Sequence, residues 1–430
     1  MVTPKQSVPR VLLVAATTGY QTRMFCVAAR RLGVELVLAT DRCDQFDDPW
    51  RDGAIPIRFY DEGRSVRTVV ESTASRSLDG VVAVGDRPAV IGALTARALD
   101  LPFHPPNATR IAANKLMTRV CLREAGLVGP WFRPVSLDVG IADLLDGVTY
   151  PCVIKPLGLT ASRGVMRANT PSELETAAAR LARLLTESSI RALRDPANEM
   201  MLVEEYLAGD EVAIEGLVTH SELRVLSIFE KPNPLKGPFF EESVYVTSSS
   251  LTELQREEVV RQVDASIKAI GLTHGSVHVE CRLSGTTVVV LEVAARPIGG
   301  LCSKVLKFDG PNGAASFEEI LLRHALGQSL SDYQLISGTS AVTMIPVPNA
   351  GIYKGVTGVE IARALPLVED VIVTAKLDQR FVPWPEGASY PGFVFARGDD
   401  PTEVVKAVRK AHRTLKFDIE PEIPITSASD

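Results

Sequence analysis

Paired cysteines are missing from this chain. Its six cysteines, at 26, 43, 121, 152, 281 and 302, form no CxxC pair and no Cys/His cluster with zinc-like spacing. They read as reduced residues of a cytoplasmic protein. Membrane-length apolar runs are missing too: the longest are strand-sized, and the first residues carry no signal-peptide core. A soluble protein with no membrane partner is expected. Nor is there a basic excess, since 46 Lys and Arg against 52 Asp and Glu leave a formal charge of −6, which gives no footprint for nucleic acid or anionic lipid. Internal repeats and low-complexity tracts are absent as well. The loop after the first apolar run, Thr17-Thr18-Gly19-Tyr20-Gln21, holds one glycine and no GxGxxG, which argues against a dinucleotide site. Small molecules remain as the expected partners.

What is present is an ordinary folded composition, 46% hydrophobic and 23% charged, long enough at 430 residues for several units with buried cores. Residues 10–104 alternate short apolar runs (11–16, 34–40, 81–85) with amphipathic stretches such as 22–32, the rhythm of parallel βαβ units. Leu101-Pro-Phe-His-Pro-Pro106 punctuates the chain, and Asn107 is expected to cap one helix running to about Ala125, with Gly126 as its left-handed stop. From 150 to 216 the pattern predicts strand, glycine-containing loop, strand, long helix and strand. A helix over 252–270 follows, then strands over 274–283 and 286–294 joined by a Ser284-Gly285 turn, and a helix over 314–327. The last third mixes strands with Gly/Pro turns and closes on a helix over 401–415, after which a frayed acidic tail is expected.

Three segments could carry chemistry. In Tyr150-Pro-Cys-Val-Ile-Lys155-Pro-Leu-Gly158-Leu-Thr-Ala-Ser162-Arg-Gly164-Val165 an apolar strand delivers a lysine next to a loop whose backbone N–H groups could fold over phosphate oxygens; a solvent-facing lysine beside a plain turn reads the same way. Glu204-Glu205-Tyr206-Leu207-Ala-Gly209-Asp210-Glu211 runs strand, turn, strand and could offer backbone groups to an adenine edge and a carboxylate to ribose, or be a solvated acidic hairpin. Period-2 alternation puts His278, Glu280 and Arg282 on one strand face, and Glu292, Ala294 and Arg296 on another. Paired through the turn, these bring two carboxylates together without thiols, a donor set for a hard ion such as Mg²⁺ shared with phosphates; an outer face with cross-strand salt bridges fits the pattern as well.

In this order and spacing the segments resemble the ATP-grasp superfamily over about residues 107–328. The resemblance implies an α/β protein in which an ATP-grasp fold, two α+β subdomains clasping ATP (107–330, lid about 130–205), follows a Rossmann-like parallel βαβ domain (1–106) and precedes a small α+β domain (331–430). It implies that Lys115, in Asn114-Lys-Leu-Met-Thr-Arg119, and Lys155 bind phosphate, that the loop at Ser162, Gly164 and Val165 closes over it, and that Glu204 and Leu207 meet adenine through their backbone. Glu211 becomes the ribose ligand, Glu280 and Glu292 the ligands of two Mg²⁺ ions (Mn²⁺ as the substitute), and Arg296, with Lys155, the catalytic pair. The usual second metal strand reads Glu-x-Asn-x-Arg, so Ala294 is a departure that bears on the number and geometry of ions.

Within the superfamily the likeness is to L-amino-acid ligases and related carboxylate-amine ligases. Arg296-Pro-Ile-Gly299-Gly300 echoes their glycine turn, and Gly237-Pro-Phe-Phe240-Glu241-Glu242-Ser243-Val-Tyr245 resembles their substrate loop. Glu242, Tyr245, Arg296, Gly299 and Gly300 are then the implied substrate contacts. Dipeptide-forming relatives tend to carry histidine at the position of Tyr245. The implied activity is an ATP-dependent, ADP-forming ligase that joins a carboxylate to an amine through an acyl phosphate, with an amino acid as one substrate. Carboxylation, thioester formation and a non-catalytic nucleotide-binding module are the competing readings, and a homodimer is the default assembly.

Overall fold

The computed structural model describes residues 8–16, 20–41, 53–233, 235–241, 243–247 and 250–422. Strands Arg10–Ala15, Glu35–Thr40, Ile55–Pro56 and Gly80–Val84 form a wholly parallel sheet, with Arg10–Ala15 hydrogen-bonded to both Glu35–Thr40 and Gly80–Val84. Helices Thr22–Leu32 and Glu62–Thr73 are its crossovers, and Asp86–Ala98 leads out of its last strand. The first ends where Gly33 turns left-handed at φ 64, and Asp61 caps the second by accepting from the Arg64 N–H.

The next layer is a four-stranded antiparallel sheet in the order Phe132–Ser136, Met200–Glu205, Cys152–Pro156, Met166–Ala168, backed by helix Pro171–Leu185. That helix buries Leu174, Ala177, Ala178, Leu181, Leu184 and Leu185, the i, i+3, i+4, i+7 stripe of an amphipathic helix. A second, eight-stranded sheet runs Thr287–Ala294, Gly275–Ser284, Asp210–Thr219, Glu222–Glu230, Val244–Val246, Thr339–Ile345, Gly392–Gly398, Val368–Val373, every neighbour antiparallel. The expected α/β architecture of two α+β layers behind a parallel sheet is present. Helices Glu253–Ile270 and Pro401–Thr414 cover opposite ends of the long sheet.

Two local expectations need correction. Residues 107–125 are not one helix but two, Pro106–Ala112 and Lys115–Glu124, because the Asn114 side chain accepts from the Leu116 and Met117 N–H groups and starts a new helix there. The segment after 415 is not frayed at its start: Lys416–Glu420 is a strand paired with Gly351–Thr357, its Phe417 and Ile419 packed inward. Residues 423–430 lie outside the described residues.

The largest core joins Val11, Leu13 and Phe25 of the parallel layer to Phe317, Leu321, Phe393 and Phe395, so that layer is seated on a helix and strands from the far end of the chain. Fully burying one such phenylalanine stabilises the seat by about 2–3 kcal/mol. At this seam His274 and His324 gather beside strand Gly80–Val84, and the His274 N–H donates to His104 Nδ1 at 3.3 Å. The His274 and His324 rings stack with centroids 4.3 Å apart.

Candidate active site

Hairpin strands Gly275–Ser284 and Thr287–Ala294 place Glu280 directly opposite Glu292, with a bulge beyond that pair that returns Cys281 and Val290 to the core. Both carboxylates face one cavity of about 630 Å³. His278 stands opposite Ala294 on one side and Glu215 on the other. A row of alternating charges results. Glu215 bonds the His278 Nδ1, and His278 Nε2 lies 3.5 Å from Glu280. Lys231 reaches both Glu280 (2.7 Å) and Glu211 (2.5 Å), and Arg282 closes the row on Glu211 at 2.8 Å. Burial alone would discharge His278, but Glu215 and Glu280 outweigh it and raise its pKa to about 9. Glu280 is buried too, yet Lys231 and His278 hold its carboxyl well below the ordinary range.

Lys155 projects from strand Cys152–Pro156 and pairs with Glu204, which Arg119 grips from the other side at 2.9 Å. Burial lowers the lysine to about 8 against the pull of Glu204, while Arg119 and Lys155 take the buried Glu204 down to about 2. Lys115, first residue of its helix, donates to the Leu159 carbonyl at 2.9 Å and stands 3.4 Å from Glu292. Just past the hairpin, Arg296 donates to Asp86 (2.9 Å), a residue of the parallel layer, and its charge is stabilised further by Glu292 and Glu215.

Of the residues singled out from sequence, Lys115, Lys155, Ser162, Val165, Glu204, Leu207 and Glu211 line this one cavity, as do Tyr245, Glu280, Glu292, Arg296, Gly299 and Gly300. Gly164 does not: its N–H donates to the Pro385 carbonyl, and it lies against Leu181 and Leu184 of helix Pro171–Leu185. Glu242 lies outside the described residues. Sequence reasoning missed Lys231, Glu215, Arg119 and Asp86 as members of the site. Glu215 was visible as an acid set among the apolar residues of strand Asp210–Thr219, whereas Lys231, at a strand end, and Asp86, opening a helix, carry no local signal.

The donor set bears on a metal. Among the described residues no group of three or more His, Cys, Asp or Glu could hold an ion by itself. Two opposed carboxylates facing a cavity that lysines also enter fit Mg²⁺ shared with phosphates, not a protein-only cage. Among the described residues no helix is long and apolar enough to cross a membrane.

Comparison with known proteins agrees with this geometry. Residues 26–103 match the ATP-grasp N-terminal domain, 148–305 the ATP-grasp domain, and 343–420 the L-amino acid ligase C-terminal domain 2. The crystal structure of L-amino acid ligase from Bacillus licheniformis superposes with a TM-score of 0.81 at 26% identity, covering 96% of this chain and 99% of that one. Among curated proteins, the ATP-grasp enzyme fsqD of Aspergillus fumigatus is 24% identical over 61% of this chain and 46% of its own length, so the present chain spans under half of that relative. A D-alanine–D-alanine ligase from Acidovorax ebreus is 25% identical over 60% of this chain and 75% of its own. With three family models matched in consecutive order, and a fold shared from end to end with a solved member, the chain belongs to the ATP-grasp superfamily.

Proposed function

We propose that this protein is an ATP-dependent, ADP-forming carboxylate-amine ligase that works through an acyl phosphate and takes an amino acid as one substrate. The observation that carries the reading is the convergence of Glu280, Glu292, Lys115, Lys155 and Arg296 on one cavity. The likeness to L-amino acid ligases supports the amino-acid substrate.

A carboxylate cannot expel oxide, so it must first be activated. Its oxygen attacks the γ-phosphorus, the bond to the β-phosphate oxygen breaks, and ADP leaves an acyl phosphate. The amine nitrogen then attacks the carbonyl, the C–N bond forms, the C–O bond to phosphate breaks, and the amine proton passes to phosphate or water. Glu280 and Glu292 would hold Mg²⁺ or Mn²⁺, two ions in all, which would supply positive charge to neutralise the phosphates. Lys115 and Lys155 place ammonium groups along the phosphates, and Glu204 with Arg119 fixes the Lys155 Nζ in position. The backbone of 204–207 meets adenine, while Lys231 and Arg282 orient the Glu211 carboxylate for ribose. Arg296, anchored by Asp86, receives the acyl phosphate, and Tyr245, Gly299 and Gly300 border the acid. Loop 157–165 keeps water from the intermediate.

A phosphate-release screen over carboxylic acids and amines with Mg-ATP, followed by mass measurement of the product, tests this. Release that requires an acid and an amine together is expected, and Arg296→Ala should lower product formation by about 10²–10³-fold while nucleotide still binds. Release driven by bicarbonate or by a thiol without any amine would replace the reading.

A further inference from the structure

Loop 157–165 has an unusual backbone and a distant support. Ala161 and Ser162 are both left-handed (φ 57 and 53) without being glycine, and Gly164 follows at φ 75. Non-glycine residues hold that conformation only where surrounding contacts fix them. Here the contacts come from more than two hundred residues away. Trp384 Nε1–H donates to the Ala161 carbonyl at 3.0 Å, the Gly164 N–H to the Pro385 carbonyl at 2.8 Å, and Arg163 Nε to the Glu386 carbonyl at 2.6 Å. The Glu386 carboxylate meanwhile takes both arms of Arg180, on the helix that backs the loop.

We propose that segment 382–390 is a strap that holds the phosphate loop in its nucleotide-covering shape, with Trp384 and Glu386 as positioning residues for phosphoryl transfer. The proposal rests on the ligase reading for its purpose, but its geometry stands independently. The strap has a defined form: a Cβ on Gly387 would lie 1.8 Å from the Val382 carbonyl oxygen, so only glycine closes that turn. Its far side is anchored as well. Trp384 packs on Tyr390 with ring centroids 4.9 Å apart, and the Tyr390 N–H meets the Tyr20 hydroxyl at 3.3 Å. Glu386 therefore joins loop and helix, its carbonyl oxygen accepting from Arg163 and its carboxylate from Arg180, so that loosening the helix contact loosens the segment that holds the loop. The Arg180 and Glu386 side chains remain 39% and 27% exposed, so the clasp can open to exchange nucleotide.

Hydrogen exchange at 157–165 in the full chain, with and without Mg-ADP, tests the strap. Without nucleotide, Glu386→Gln and Trp384→Phe, the latter keeping a ring against Tyr390, should each exchange about tenfold faster in this loop. Both should bind Mg-ADP several-fold more weakly while their thermal midpoints match that of the wild type. Arg380→Ala, which breaks an exposed pair with Glu422, should behave as the wild type does. Unchanged loop exchange in both variants overturns the proposal, as does acceleration spread evenly over 339–420, which would mark a merely structural role. If Mg-ADP adds no protection to the wild type, the nucleotide reading fails, whereas the nucleotide-free comparison still decides the strap.

Discussion

Towards one end of strand Gly275–Ser284, His278 and Glu280 join Glu215, Lys231, Glu211 and Arg282 in a row of alternating charges; by the other, His104, His274 and His324 meet without an ion pair to any described carboxylate. Burial is common to both regions, yet the histidines respond oppositely. His278 is raised to about 9 because a carboxylate faces each ring nitrogen. His104 is lowered to about 3 by burial, which its hydrogen bond to the Ser276 carbonyl only partly offsets. Its Nε2 meets that carbonyl while Nδ1 accepts the His274 N–H, so the neutral ring is satisfied and a second proton would point at a donor. The neighbouring carboxylates, not depth, decide which buried polar cluster carries charge.

The contrast breaks most sharply at Lys231. Lys231→Met leaves Glu211 and Glu280 facing each other without their shared cation, and urea unfolding should show a loss of about 3–5 kcal/mol. A loss under 1 kcal/mol would mean the row is not electrostatically knit. The neutral region should respond to acid. Between pH 6.5 and about 3 the unfolded chain binds a proton that folded His104 refuses, so its contribution is intact above pH 6.5 and falls as pH drops. By pH 5 this amounts to roughly 2 kcal/mol. Unfolding free energies at pH 7 and pH 5 measure the drop, and His104→Asn should shrink it whatever its cost at pH 7. The smallest effect would turn one region towards the other. The Thr219 hydroxyl lies 2.8 Å from His324 Nε2, and burial takes that ring to about 4. Thr219→Asp should raise it by about one unit in an NMR titration, and no rise would show that a carboxylate at that distance is too well solvated to matter.

Much of this arrangement was legible in the chain itself, because it depends on local periodicity. Alternation along 275–283 and 287–294, with a two-residue turn between, brings Glu280 and Glu292 near one another, and the register shift between Glu280 and Cys281 then sets the two opposite. The strand-lysine-glycine order at 152–165 likewise delivers Lys155 to a loop. What stayed hidden comes from residues that meet only in three dimensions: Asp86 reaches Arg296 across 210 positions, and Lys231 has no pattern around it that marks a site. The strand Lys416–Glu420 was misread because its acidic surroundings masked a true alternation, Phe417 and Ile419 inward and charges outward. Asn114, not Asn107, is the capping asparagine, and the two look alike in sequence because each stands at the start of a helical stretch.

The long sheet has one further consequence. Strands Val244–Val246 and Thr339–Ile345 are hydrogen-bonded neighbours, so the seam between the matched ATP-grasp region and the matched C-terminal region is a backbone ladder rather than a linker. Trimming the chain before 339 would delete three strands of this sheet and bare a raw edge of unpaired amides and carbonyls, an invitation to aggregate. Anyone seeking a minimal nucleotide-binding fragment should therefore keep the polypeptide whole on this side of the molecule.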